Sequence, residues 1–174
     1  MARLIISVFL LLFFLQANAQ QYLGEEGTIT FFSKAPVEDI SAVNNKVSAV
    51  YDAKTKALVF QLNISDFIFP KSLMQTHFNE NYLESDIYPK STFVGKVTEN
   101  KNGTAHVEGK LTIHGETNFI NITGNLLVHE NTVYISAVKF IIKLEDYKIK
   151  IPRIVMYNIA EEIEVKVNIE LQKQ

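Results

Sequence analysis

The sequence predicts an all-β fold of eight antiparallel strands with one short helical insertion. Apolar and polar residues alternate in successive segments, most regularly over residues 163–171, and this alternation is typical of a strand with one buried face. Short polar connections separate the segments, without an internal repeat or a low-complexity linker. Eight such strands can close into a barrel, which removes the exposed edges of an open sheet, or they can pack as a sandwich.

The predicted strands follow one another with turn residues between them. They cover residues 28–32, 43–51, 58–64, 91–97, 105–113, 120–128, 133–142 and 163–171. Pro36 ends the first strand, and His114 and Gly115 stand where the fifth and sixth need a hairpin turn. In the seventh strand, apolar residues occupy both faces towards residues 140–142, which predicts burial on both sides or an exposed outer patch.

Two glycines, Gly109 and Gly124, lie in the interiors of predicted strands. Glycine weakens a strand, so at these positions it predicts a bend or a close approach by backbone or ligand. Closure of a barrel requires such bends.

The segment between the third and fourth strands predicts a helix. Leu73, His77 and Phe78 recur at helical spacing, and a second helical turn must end before Pro89, because the residue preceding a proline is pushed out of the helical region. We therefore expect a helical insertion near residues 72–85, which caps one end of the barrel and gates access to its interior.

The first residues predict an export signal. Arg3 supplies a positive charge, residues 4–15 are almost wholly apolar, and residues 17–19, Ala-Asn-Ala, have the small-x-small form of a cleavage site. The apolar run of about 12 residues is shorter than the roughly 20 that cross a membrane as a helix. We expect residues 1–19 to be a signal peptide and residues 20–174 to form a single domain, released untethered into the periplasm or the extracellular space.

Composition restricts the kinds of partner. The net charge of −2 and the lack of a basic patch disfavour nucleic acid. Because the chain has no cysteine, neither a disulfide framework nor a lipid-modified cysteine is available, and stability must come from the core and the β-ladder. The sequence leaves the oligomeric state open, a homodimer included.

Residues that could support catalysis or bind a metal are scattered. The chain has no G-x-S-x-G motif, and adjacent acids such as Glu145 and Asp146 would point to opposite faces of a strand. The best metal candidate is His77 with Glu80 and Glu84 on one helical face, but such spacing is more often a solvated surface. We therefore predict a protein without enzymatic activity, bound metal or cofactor.

Two blocks of sequence carry a family resemblance. In residues 74–93 an acidic and amide-rich segment ending in tyrosine-proline precedes a strand, and residues 107–117 contain Gly-Lys-Leu-Thr-Ile-His-Gly. These blocks resemble the signatures of the YceI-like family of periplasmic or secreted lipid-binding proteins. The resemblance implies a lipocalin-like barrel whose lumen holds a long isoprenoid or fatty chain. Family members often carry arginine and histidine before the tyrosine-proline pair, where this chain has Asn-Glu-Asn-Tyr at residues 79–82.

The inward face of the predicted strands supplies the candidate binding site. Its apolar side chains would either pack together as a filled core or line a cavity, and the family resemblance favours the cavity. The predicted lining residues are Leu58, Phe60, Leu62, Phe93, Val107, Leu111, Ile120, Ile122, Leu126, Ile163, Val165 and Val167. We expect this lumen to sequester an amphiphile with a long apolar tail, a polyisoprenoid or fatty acid derivative. The alternative is a non-enzymatic structural or stress-response module with a filled core and no ligand.

Two polar segments could contact the headgroup of such an amphiphile. Near the insertion, His77, Asn81 and Tyr82 are the candidate ligand-binding residues at the mouth, with Lys71 and Asn79 beside them. The other segment is a basic loop, whose candidates are Tyr147, Lys148, Lys150 and Arg153. This loop would suit an anionic phosphate or carboxylate, or would simply be solvated.

Overall fold

A computed structural model describes residues 20–34, 39–150 and 161–174 of the chain. Their eight strands form a closed antiparallel barrel in which each strand pairs with its neighbours in sequence and β1 pairs with β8. The strands are β1 (Gln21–Ser33), β2 (Ile40–Asp52), β3 (Ala57–Asn63), β4 (Lys90–Lys101), β5 (Thr104–Ile113), β6 (Glu116–Val128), β7 (Thr132–Lys143) and β8 (Glu162–Lys173). The predicted barrel is confirmed, and the sandwich alternative is wrong. The expected signal peptide, residues 1–19, lies outside the described residues.

The first strand begins well before its predicted start at residue 28. The prediction missed this part of the strand because of a β-bulge: Glu25 and Glu26 are both exposed where the register shifts between Gly24 and Gly27. Two consecutive outward acids interrupt the alternation that identifies a strand. A Cβ atom at Gly27 would lie 2.6 Å from Cδ1 of Ile169, so the β8 side chain packs directly on this glycine.

The predicted helical insertion lies between β3 and β4. It consists of helix α1 (Ser72–His77) followed by a π-helical turn (Phe78–Tyr82). The helical part ends slightly before the predicted limit, and Glu84 adopts a positive φ of 44°. Phe78 is buried and Leu73 is exposed, so the insertion packs one face against the barrel.

The connections divide the barrel into two ends. The insertion end carries α1, the turn at residues 114–115 and the 3₁₀ turn Leu144–Tyr147 after β7. The hairpin end carries the three short connections β2–β3, β4–β5 and β6–β7. The buried apolar residues form one cluster towards each end, around Phe31 at the insertion end and around Val133 at the hairpin end.

The two faces of β7 differ in their exposure to solvent. Phe140 and Ile142 face the interior and are half-buried, whereas Ile141 points outward with 53% of its surface exposed. Of the two predicted alternatives, the exposed outer patch is correct. Within the described ranges, none of the helices combines the length and apolar character that a membrane-spanning helix needs.

Both glycines singled out in strand interiors mark close approaches. Gly109 pairs with Gly95 across β4 and β5, and the ring of Phe93 lies over both, so a Cβ atom at Gly109 would be 2.6 Å from Cζ of Phe93. A Cβ atom at Gly124 would be 2.5 Å from Cγ2 of Val138 on β7. The predicted close approach is confirmed, and the approaching groups belong to the barrel itself.

Candidate functional site

The lumen contains three apolar cavities in a row along the barrel. The first, towards the hairpin end, has a volume of about 90 Å³, the second about 110 Å³ and the third, beneath the insertion, about 50 Å³. Ile29, Leu62 and Leu111 line both the first and the second cavity. Phe31 and Phe78 line both the second and the third. The cavities are therefore separated only by side chains.

All the residues predicted to line the lumen lie beside the first or second cavity. The first is lined by Leu58, Phe60, Leu62, Phe93, Val107, Leu111, Ile120, Ile122, Leu126 and Val167. The second is lined by Ile163 and Val165, and again by Leu62 and Leu111. Strand alternation is sufficient to place these side chains, because each strand presents every second residue inward. Contact with a ligand stays a prediction.

The chemistry that the lumen offers is burial of apolar surface. Ser91, one of the few polar residues beside the first two cavities, has its hydroxyl engaged, since Oγ donates to the carbonyl oxygen of Thr112 at 3.0 Å. Among the described residues, no three histidine, cysteine or acidic side chains come together as a metal site. The candidate set of His77, Glu80 and Glu84 is therefore not assembled, and Glu84 bonds instead to His114.

An aromatic cluster separates the second cavity from the third. Phe78, from the π-helical turn, lies with its ring centroid 4.8 Å from that of Phe69 and 5.6 Å from those of Phe31 and Phe67. These four rings are not among the residues that the sequence predicts to line the lumen. The available signal was the pattern Phe67-Ile68-Phe69, in which Ile68 is 61% exposed and both flanking rings are buried.

The predicted mouth residues differ in their access to the lumen. Tyr82 is half-buried and lines the third cavity, and burial raises the pKa of its hydroxyl. His77 is half-buried and Asn81 is exposed, and neither lines any of the three cavities. The buried Oδ1 atom of Asn79 accepts no hydrogen bond within the described residues, while its Nδ2 donates to the carbonyl oxygen of Gln75 at 3.0 Å.

The two signature blocks meet at the insertion end. His114 and Gly115 have φ values of 51° and 76°, as the two central residues of a type I′ hairpin turn require. The ring of Tyr88, just before the proline, packs edge-on to the His114 ring with 4.4 Å between centroids. His114 also places Nε2 2.7 Å from Oε2 of Glu84 and Nδ1 3.2 Å from the carbonyl oxygen of Tyr147. We call these contacts the histidine anchor, because they join the insertion, the β5–β6 turn and the turn after β7.

One imidazole side chain bridges two separate connections. Each ring nitrogen of His114 lies within hydrogen-bonding distance of an oxygen atom on a different segment. The role that the structure supports for this residue is to hold three connections together.

The described part of the basic loop packs against the end of β6. Tyr147 is buried, while Lys148 and Lys150 are exposed. Nζ of Lys148 lies 2.8 Å from Oε1 of Glu116, and this hydrogen bond raises the pKa of the lysine. Arg153, the remaining candidate in this loop, lies outside the described residues.

Fold and lumen together define a small closed β-barrel with an apolar interior. Within this class the chain belongs to the YceI-like family, since the YceI-like domain matches residues 21–171. The family resemblance of the two signature blocks is thereby confirmed. Among curated proteins, none matches the sequence.

Three solved structures share the fold at low sequence identity. BcnA from Burkholderia cenocepacia is 16% identical with a TM-score of 0.73, over 83% of this chain and 95% of that one. A polyisoprenoid binding domain from Saccharophagus degradans is 11% identical with a TM-score of 0.75, over 90% and 99%. The YceI protein of Campylobacter jejuni is 18% identical with a TM-score of 0.66, over 81% and 88%.

Proposed function

We propose that this protein binds an amphiphile with a long apolar tail, a polyisoprenoid or fatty acid derivative, inside the barrel and carries it without chemical change. The observation that carries the proposal is the row of three apolar cavities along the lumen. The description of the Saccharophagus degradans neighbour as a polyisoprenoid binding domain supports the same class of ligand.

Apolar burial alone supplies the affinity in this mechanism. Each methylene group that leaves water for the lumen gains about 0.8 kcal/mol, so a chain of several isoprene units binds without a specific headgroup contact. The second cavity holds only about 110 Å³, whereas ligand pockets commonly hold about 300–1,000 Å³. Uptake therefore requires the side chains that separate the cavities to move, among them Leu62 and Leu111 between the first and the second.

The small volume of each cavity also favours a second candidate. A non-enzymatic structural or stress-response module would keep the lumen filled with side chains, and an eight-stranded barrel is just narrow enough to be filled in this way. The two candidates differ in one property, the uptake of a long apolar chain.

Native mass spectrometry of the protein purified from its own export compartment tests the proposal. We expect a co-purifying lipid mass. Failing that, the protein should take up added palmitic acid or a C20 polyprenyl alcohol with a stoichiometry of about one chain per barrel. Phe60→Lys places a charge beside the first cavity and should abolish uptake, whereas Val59→Lys, at an outward position 38% exposed, should not. An unliganded protein that takes up neither chain would overturn the carrier and favour the filled core.

We also propose that the protein acts outside the cytoplasm, in the periplasm or the extracellular space, after removal of residues 1–19. The support is the sequence pattern of those residues. N-terminal sequencing of the exported protein should begin at Gln20. A mature protein that still begins at Met1 would contradict cleavage.

A further inference from the structure

The barrel wall is incompletely paired between β6 and β7. These strands pair only near the hairpin end, over four residue pairs from Asn125 with Ser136 to Val128 with Val133. Within the described residues, the rest of β6 pairs with β5 alone and residues 138–143 of β7 pair with β8 alone. A register shift in β7, with Ala137 at a φ of 53°, lies where the pairing ends. We call this unpaired section the β6–β7 window.

The window lies directly over the lumen. The inward side chains along it are half-buried, namely Ile120, Ile122, Val138, Phe140 and Ile142. Inward side chains on the fully paired wall range from buried, as Val165 and Val167 of β8 are at 6% exposure, to half-buried, as Phe60 of β3 and Val107 of β5 are. Four of the five window residues line the first cavity, and the fifth, Ile142, lines the second. The window therefore borders the two larger cavities.

Both ends of the window are fixed by contacts. At the hairpin end, the four residue pairs hold the strands together. At the insertion end, Nδ2 of Asn118 donates to the carbonyl oxygen of Asp146 at 2.6 Å, and Lys148 pairs with Glu116. These bonds tie the turn after β7 to β6. The window is thus a bounded opening in the wall and not a frayed edge.

A comparable gap elsewhere in the wall is filled. β2 and β3 also pair over only four residue pairs, from Ser48 with Gln61 to Tyr51 with Leu58. Beyond them, Val43 forms a β-bridge with Ile68, and the fully buried Asn44 donates from Nδ2 to the carbonyl oxygen of Asn63 at 2.9 Å. No described residue fills the β6–β7 window in this way. Exposed strand edges are usually avoided in barrels, which makes this one notable.

The two possible routes into the lumen differ in what must move. At the insertion end, a chain would have to separate Phe78 from the three rings around it, and the histidine anchor holds the adjoining segment in place. At the window, the outward faces of the two strands carry two exposed apolar side chains, Phe119 on β6 and Ile141 on β7, at 63% and 53% exposure, beside polar residues such as Asn121 and Lys139. Inward from Phe119 and Ile141, the neighbouring side chains of Ile122 and Phe140 are half-buried and line the first cavity.

We propose that the β6–β7 window is the site through which an apolar chain enters and leaves the lumen, an inference that rests on the proposed carrier function. Phe119 and Ile141 form its outer rim, and Ile122 and Phe140 its inner one. In this proposal the window controls access to the lumen in place of the insertion, and the insertion serves as a fixed cap.

A covalent staple across the window tests this route, because the chain has no cysteine of its own. Continuing the contact between Gly124 and Val138 along the antiparallel strands sets Asn121 opposite Ile141. The variant Asn121→Cys/Ile141→Cys, joined by a short bismaleimide, closes the window. As a matched control, Glu108→Cys/Asn121→Cys staples two residues that are already paired across β5 and β6.

The probe is dansyl-labelled undecanoic acid, followed by stopped-flow fluorescence. We expect the window staple to slow both association and dissociation at least about tenfold, while the control staple leaves both rates unchanged. The dissociation constant should stay within about twofold, because a route changes rates and not the equilibrium. Binding with unchanged rates in the window-stapled protein overturns the window and leaves the carrier intact. Failure of every variant to bind the probe overturns the carrier function, and the window with it.

Thiol accessibility provides an independent measurement that needs no staple. Ile122→Cys places an inward thiol at the window, and Val165→Cys places one on the paired wall. We expect a maleimide to react faster at residue 122 by about tenfold or more, since reactivity follows access to the thiolate, and the bound probe to protect that site. Equally slow reaction at both sites contradicts an open window.

Discussion

Replacing Phe78 by alanine tests two properties of this ring: its contribution to the stability of the protein, and its effect on the volume that a ligand can occupy. The ring is buried at 8% exposure and contacts three other rings at 4.8–5.6 Å. Removing a buried phenylalanine side chain costs about 3–5 kcal/mol, from lost transfer energy and from the space left behind. Because Phe78 lines both the second and the third cavity, its removal joins them. We expect the melting temperature to fall by roughly 6–20 °C.

The same substitution should increase the effect of a ligand. A joined cavity accommodates more of an apolar tail, and each additional buried methylene contributes about 0.8 kcal/mol. Urea unfolding with and without palmitic acid measures both quantities. Without ligand, we expect Phe78→Ala to be much less stable than the unsubstituted protein. Palmitic acid should raise the free energy of unfolding of the variant by more than it raises that of the unsubstituted protein.

Leu73→Ala serves as the matched control, since Leu73 lies on α1 and is 66% exposed. Its cost should be within about 0.5 kcal/mol. If Phe78→Ala costs no more than this control, the aromatic cluster does not pack the insertion end as the distances indicate. If it is destabilised but gains nothing from palmitic acid, the second and third cavities do not hold the tail.

Two further predictions concern the backbone of β7 and the tyrosine hydroxyls. Ala137→Gly should stabilise the protein by about 0.5–1 kcal/mol in urea unfolding, because glycine adopts the positive φ without a Cβ clash. The control Ala57→Gly, in an ordinary strand conformation, should destabilise the protein. A loss of stability in both variants would refute backbone strain at Ala137. Burial raises the pKa of three tyrosines, Tyr51, Tyr82 and Tyr147. Their stabilising contribution is fully present below the unfolded pKa of about 10 and is lost as pH rises through the folded values, so the urea midpoint should decline above pH 10, and a flat profile there would contradict this.

Local pattern predicts most of the barrel and fails where the pattern is interrupted. Alternation places the inward residues of β3 to β8, since burial on one face forces a period of two. It misses the first half of β1, where the bulge sets Glu25 and Glu26 side by side on the outside. It also leaves the Phe67 and Phe69 rings unassigned, because the segment that carries them belongs to no strand and joins the wall through a single bridge.

The candidate site is predictable as a lining but not as an opening. The apolar character of Ile122 and Phe140 is plain in the sequence, and both line the first cavity. Their strands, β6 and β7, are not paired with each other at this level. This depends on the register of β7 against β8 after the shift at Ala137. Register between strands is a non-local property, and nothing in the composition of either segment marks the end of pairing.

The residues by which the sequence is identified as YceI-like act on the lumen indirectly. Tyr88, His114 and Gly115 line none of the three cavities, yet their contacts fix Glu84, which follows the turn that carries Phe78. Hydrogen bonds and a positive-φ turn demand particular side chains, whereas apolar lining tolerates any residue of suitable volume. A barrel organised in this way can keep its cap in place while the residues of its lining change.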